Sequence, residues 1–321
     1  MGSTCGCLNS NLASKNNEDL EFIHMETPRV LKLEEFPDEK IHSYLSSENR
    51  TSIEAYSKIN NISSLNTLVN KVEQSLGPFV FNPSESFSQS FAITETFSNG
   101  KTYIGQKDSE GRKHGKGVYI WEDGSKYTGY WENDKANGKG RLIHSDGDVY
   151  EGMWVNDKAQ GYGKYIHYNG TTYEGEWLDD LQHGFGTEYW LDGAIYKGNY
   201  LKGRKSGRGQ FIWTDGSTYT GEFFDNKIEG LGVYVWKDGR RYEGVWKDNK
   251  MHGEGTFSWP DGRVYKGCYV DDKKHGYGEF YWPGGKVYKG EWNNGKQHGK
   301  GKFGEGLNLK VSQWVSGKKI D

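Results

Sequence analysis

Three histidines, His252, His275 and His298, stand 23 residues apart, and an imidazole recurring at fixed spacing first suggests metal binding or acid–base chemistry. Geometry argues against both. If each 23-residue step adds two strands about 4.8 Å apart, equivalent residues in neighbouring steps lie roughly 10 Å apart. Imidazoles at that separation cannot share an ion held at about 2 Å. His144 and His167 occupy another recurring slot and fail for the same reason. The spacing therefore assigns these histidines to supporting the loop before each Gly-x-Gly. Cys268 falls on the polar side of its strand, in the slot of Glu222 and Val245, with nothing basic arranged to activate it. The glycines alternate within strands and do not lead a strand into a helix, so they make no phosphate-binding loop. No nucleophile–base pair survives the periodicity. The sequence predicts no catalytic residue, no metal and no cofactor.

Two stretches remain that could make contacts. Lys202, Arg204, Lys205 and Arg208 form a locally basic run, suited to a solvated loop or to an acidic lipid or protein partner. The chain opens MGSTCGC. Removal of Met1 would leave Gly2 open to myristoylation, although Gly6 stands where Ser or Thr is the usual preference. A single myristate holds a membrane marginally and needs a second signal. The following residues are acidic (Glu18, Asp19, Glu21), which excludes a polybasic patch and leaves palmitoylation of Cys5 and Cys7.

The element that positions everything else is a 23-residue unit. Tyr127, Tyr150, Tyr173, Tyr196, Tyr219, Tyr242, Tyr265 and Tyr288 open successive copies, and Tyr103 opens a first copy of 24 residues. A strict period of this length means one supersecondary unit stacked many times. In the copy from Tyr242, alternation through Trp246 predicts one strand and alternation from Gly253 to Trp259 a second. Lys247 to Met251 is the expected loop. Asp261-Gly262 is a two-residue hairpin signal, repeated as Asp-Gly or Asn-Gly at 123–124, 146–147, 169–170, 192–193, 215–216 and 238–239. Tyr242, Trp246, Phe257 and Trp259 are expected on one face together with Gly244, Gly253 and Gly255, the rings lying across the bare glycines. Of 46 glycines, 35 fall at the four repeat positions, so glycine is here a positional requirement.

These residues resemble the MORN repeat, Tyr-x-Gly-x-Trp followed by a short loop, His-Gly-x-Gly and Asp-Gly. The likeness spans residues 103–303 in nine copies. Lys107 replaces the first Trp, and Asn137, Gln160, Ser206 and Glu229 replace His. A degenerate copy trails at Lys310 to Trp314, and a half-copy leads at Phe91 to Gly100. The resemblance implies an all-β fold: an elongated single-layer antiparallel sheet of tandem hairpins, about 85 Å long before twist. It also implies protein partners at the cell cortex, cytoskeleton or cilium. Lipid kinases of the family carry such repeats beside a kinase domain, but kinase signatures do not occur here.

Bulk composition fits this reading. Apolar residues are 33% but aromatics 15%, which suits a thin sheet held by ring ladders. No run approaches 18 apolar residues, and the first 20 residues lack a secretory signal. Residues 1–88 hold 7 basic against 12 acidic residues and the rest 34 against 32, so neither part is a nucleic-acid surface. Three cysteines make no disulfide framework and point to a reducing cytosol.

The expected organisation is therefore an acylated terminus and spacer over 1–36, short helices over 37–78, a connector over 79–102 and repeats over 103–321. Helices are predicted at Pro37 to Leu45, after the Thr51/Glu54 capping box, and after a Ser63 or Ser64 cap with Leu65, Leu68, Val69, Val72 and Leu76 along one face. That helical region could pack on the first repeats or on itself, or could bind a partner helix. The repeat aromatic face (Trp131, Trp154, Trp177, Trp213, Trp236, Trp246, Trp259, Trp282, Trp292) is expected to be mostly self-packing, with the rings left exposed forming the partner surface. The functional expectation is a non-catalytic scaffold held by its acylated N-terminus on the cytoplasmic face of the plasma membrane or cortex. Direct binding of acidic phospholipids by the repeats, or a soluble cytoskeletal or axonemal role without an anchor, are the alternatives.

Overall fold

The computed structural model describes residues 63–82, 93–98 and 100–320. The chain divides into two units, Met1–Arg50 and Thr51–Asp321, and every described residue belongs to the second. Gly2, Cys5, Cys7 and the first two expected helices lie outside the described residues.

The repeats fold as expected into one open antiparallel sheet of 21 strands, from Ile93–Thr96 to Lys318–Lys319. Each strand between the two edges pairs with the one before and the one after it in the chain. The leading half-copy supplies the first strand, which pairs with Thr102–Lys107, and the trailing copy supplies Asn308–Val315.

The unit beginning at Tyr242 shows how the sequence sets the geometry. Its strands are Arg241–Lys247 and Lys250–Ser258. The expected five-residue loop is a two-residue turn at Asp248 and Asn249, with φ of 49° and 65°. Asp and Asn tolerate this left-handed region, and the pair gives the I′ geometry whose twist suits a hairpin. Asp261-Gly262 does not make the tight hairpin. It lies within a wider connection in which Gly262 N donates to Trp259 O and Trp259 N to Arg263 O. The tight turn also staples neighbouring units. Asn249 N donates to Ile228 O at 3.0 Å, and Asn249 Oδ1 accepts from Ile228 N at 2.8 Å. The same two-way bond joins Asp134 to Lys113, Asp157 to Ala136 and Asp272 to Met251.

Tyr242 lies over Gly255, as expected: a Cβ there would meet its ring at 2.5 Å, and a Cβ on Gly244 would meet the Gly255 backbone at 2.5 Å. Gly253 departs from the expectation. A register shift between Gly244 and Trp246 sets it at φ +57°, and a Cβ on it would face Val245 on the opposite side. The bulge breaks the period-two count, so alternation alone misplaces this glycine.

One helix, α1 (Thr67–Leu76), precedes the sheet among the described residues. Its cap is Asn66, not Ser63 or Ser64: Asn66 Oδ1 accepts from Leu68 N at 2.9 Å and Val69 N at 3.3 Å. The Ser64 hydroxyl is engaged instead with Gly124 O at 2.6 Å. Leu65 thus precedes the helix and is exposed. The helix packs on the early repeats, Val69 against Ile143 and Val149. Phe79 and Phe81 follow it onto Val118 and Ile120. Lys126, fully buried beneath the helix, meets Glu73 at 2.6 Å, and Arg141 Nη1 donates to Gly77 O at 2.7 Å. All this covers the face opposite the repeat tyrosines.

Candidate binding surface

The tyrosine face is built from two aromatic rows. In the first, each opening tyrosine is almost completely buried. Its hydroxyl donates to the carbonyl three residues on, as in Tyr242 to Val245 at 3.0 Å. Edge-on rings flank it: Trp246 of its own unit at 5.1 Å and Tyr269 of the next at 5.3 Å. Trp131, Trp154, Trp177, Trp246 and Trp292 belong to this row, and each indole N–H donates to a glycine carbonyl 14 residues earlier. Each edge-on pair is worth about 0.5–1.5 kcal/mol beyond its buried area. Burial drives the Tyr242 phenol well above the ordinary tyrosine range, so it stays a neutral donor. These five tryptophans are mainly structural.

The second row runs along the wider connections. Trp190, Phe211, Trp213, Tyr234, Trp236, Phe257, Trp259, Phe280 and Trp282 follow one another at centroid distances of 4.3–5.5 Å. Trp213, Trp236, Trp259 and Trp282 are half-buried and open to solvent. In the early repeats the same slot holds His144 and His167, so the continuous indole row belongs to the later repeats.

Three lysines enter this face: Lys113, Lys205 and Lys274 share the slot nine residues after the opening tyrosine (ten in the longer first copy), where the other repeats carry Ala136, Ala159, Gln182, Ile228, Met251 and Gln297. Lys205 Nζ sits 4.8 Å over Trp190 and 2.8 Å from Glu188, whose carboxylate also accepts from the Tyr200 hydroxyl at 2.9 Å. Glu188, Tyr200 and Lys205 line a groove of about 460 Å³. Sequence reading missed this cluster. The signal that could have found it is a lysine in a slot that is otherwise uncharged.

The basic run is therefore not one patch. Lys205 turns into the aromatic face, Arg204 pairs with Asp225, Lys202 lies in a turn at φ 51°, and Arg208 is exposed opposite Glu222. Cross-strand charge pairs such as Arg141–Glu151 and Lys289–Glu279 ladder the other face. In the histidine slot, Gln160 and Glu229 accept from the next turn's Asp179 N and Asp248 N, whereas His183 and His252 keep a buried, unpartnered Nδ1. No cluster of three metal-ligating side chains forms among the described residues.

No curated protein matches the chain significantly. Its backbone is similar to the TCP10 domain of Danio rerio CPAP, at 14% identity and a TM-score of 0.36, over 62% of this chain and 94% of that one. It is likewise similar to the SAS-4 TCP domain of Drosophila melanogaster, solved with a proline-rich motif of Ana2, at 14% identity and a TM-score of 0.32, over 59% and 97%. Overlap at that level carries no functional argument. The MORN repeat family matches at 103–126, 127–149, 150–172, 173–195, 196–218, 219–240, 242–262, 265–287 and 288–304. With those nine consecutive matches over most of the sheet, the chain belongs to the MORN-repeat family.

Proposed function

We propose that this protein is a non-catalytic scaffold that holds protein partners on its aromatic face at the cytoplasmic side of a membrane or the cell cortex. The observation that carries this reading is the half-exposed row of Trp213, Trp236, Trp259 and Trp282, on a face that the helix leaves uncovered. Large amphipathic rings on an open, preformed surface suit partner anchoring. The basic run does not converge on one site, so direct lipid binding by the repeats has less support.

Acylation at Gly2, with Cys5 and Cys7 as the second signal, would place the scaffold on the membrane. Three forms separate this from placement by the repeats. The parent chain is expected mostly in the membrane fraction, Cys5→Ser with Cys7→Ser mostly soluble, and Gly2→Ala fully soluble. An unchanged distribution for Gly2→Ala would refute anchoring by acylation and favour a soluble cytoskeletal or ciliary role. For the binding surface, Trp213→His, Trp236→His and Trp259→His install the residue that His144 and His167 carry in the same slot. The triple variant should stay folded and lose its co-purifying proteins. Retention of the same set would refute the aromatic face as the binding surface.

A further inference from the structure

Repeat by repeat, the chain carries an internal template for recognising a carboxylate. Tyr200 and Lys205 are cross-strand neighbours, and the Glu188 carboxylate joins them. The same two residue types recur 69 positions later: Tyr269 and Lys274 are also cross-strand neighbours. Twelve residues before Tyr200 stands Glu188; twelve before Tyr269 stands Phe257. The donors are repeated and the acceptor is missing.

A second acidic source is missing too. Lys113, the remaining lysine of this slot, has Asp134 in the facing turn, and that carboxylate opposes the burial that lowers the Lys113 pKa. The turn facing Lys274 has Gly295 at the corresponding place. Among the described residues no carboxylate pairs with Lys274. Its ammonium lies instead over Trp259 at 5.1 Å, Tyr265 at 4.9 Å, Phe280 at 4.7 Å and Trp292 at 4.9 Å. The Tyr269 hydroxyl likewise has no acceptor among the described residues. Neither atom is among the sealed-off, unpartnered polar atoms of the described residues, which are His183 Nδ1, His252 Nδ1 and Trp314 Nε1; Tyr269 is mostly covered and Lys274 is half-buried. Burial, then the like charge of Arg263, lowers the Lys274 pKa to about 8, as befits an ammonium lacking its counter-charge.

We infer that Tyr269 and Lys274 form a subsite on the aromatic face that receives an Asp or Glu carboxylate from a bound protein segment with apolar flanks. The ring faces around the ammonium would take the flanking apolar side chains, and a charge-assisted bond there is stronger than a neutral one. A bare ammonium over aromatic rings gains most from an anion that arrives with its own apolar surround. This rests on the scaffold reading above and names the chemistry of the partner.

The probe is a blocked pentapeptide, one Glu flanked by leucines, compared with its Gln twin by titration of the full chain's tryptophan fluorescence. The Glu peptide should bind at least tenfold more tightly. Lys274→Met and Tyr269→Phe introduce residues already present in the same slots, Met251 and Phe223, so both should fold. Lys274→Met should abolish the Glu preference and Tyr269→Phe should reduce it about threefold. Gly295→Asp supplies an internal carboxylate where a Cβ meets nothing, at a φ of 82° close to the 66° that Asp134 and Asp272 adopt in the equivalent turns; it should also remove the preference. Lys205→Met, at the site already filled by Glu188, should leave it unchanged. Equal binding of the two peptides, or a preference that survives Lys274→Met, would overturn the subsite. So would Lys274-dependent pelleting with phosphoinositide vesicles without peptide preference, which would assign the ammonium to lipid phosphate. Loss of the subsite while proteins still co-purify through the tryptophan row leaves the scaffold reading standing; an intact Glu preference with no co-purifying protein does the reverse.

Discussion

Replacing Lys274 by Met should stabilise the protein most at neutral pH and progressively less as the pH rises. The lysine pKa falls from 10.5 to about 8 through burial first and the neighbouring Arg263 second. Below pH 8 the folded chain therefore holds a poorly solvated ammonium. At about 1.4 kcal/mol per pH unit the penalty has a ceiling of about 3 kcal/mol, because the ring faces return part of it. Between pH 8 and 10.5 the unfolded chain keeps a proton that the folded chain has shed, so stability rises with pH through that window. The methionine of the Lys274→Met variant cannot titrate. The gap between the two proteins should thus shrink by about 2 kcal/mol between pH 7 and 9.5. Met251 fills the same slot one repeat earlier, so the packing change adds a constant offset only. Ionisation of unfolded tyrosines at the upper end of this range affects both proteins equally and cancels in the gap. Urea denaturation at pH 7.0, 8.5 and 9.5 would measure the gap, with amide exchange over residues 264–281 reporting the same repeat locally, since stacked repeats can open in parts. Parallel stability profiles for the two proteins would refute a strained ammonium.

Asn249→Ala should cost about 2 kcal/mol, from the lost bond to Ile228 N and from placing at φ 65° a residue without asparagine's tolerance of that region; Asn249→Gly, which accepts the conformation freely, should cost about half as much in thermal or urea unfolding. Gly255→Ala would put a methyl 2.5 Å from the Tyr242 ring and should cost at least about 2 kcal/mol by the same assay. Glu73→Ala removes the carboxylate over the buried Lys126 and should cost about 3 kcal/mol, read as raised amide exchange in α1 before the sheet opens.

The 23-residue period made the sheet and its order legible, because stacked identical units leave little freedom in which strand pairs with which. The ring-over-glycine packing of Tyr242 was legible for the same reason. Alternation failed at Gly253, where a bulge shifts the face, and the tight turn was misplaced because Asp-Gly is a stronger sequence signal than Asp-Asn although both accept positive φ. The cap fell to Asn66 because Ser64 is drawn to a carbonyl 60 residues away, a contact that no local pattern contains. Neighbours in sequence are not neighbours in space along the basic run, because strand alternation sends Lys205 to the ring face, away from Arg208. The Tyr–Lys pair was hidden because each member looks like an ordinary substitution until the two slots are compared across strands.

The claim that partners dock on the aromatic face, and not on the charged one, can be tested without knowing them. A photo-crosslinking amino acid replaces Trp236 in one full-length variant and Glu243, exposed on the opposite face, in another. After illumination in cells, the account predicts discrete protein adducts from position 236 and few from 243. Equal adducts from both positions, or adducts confined to 243, would contradict it.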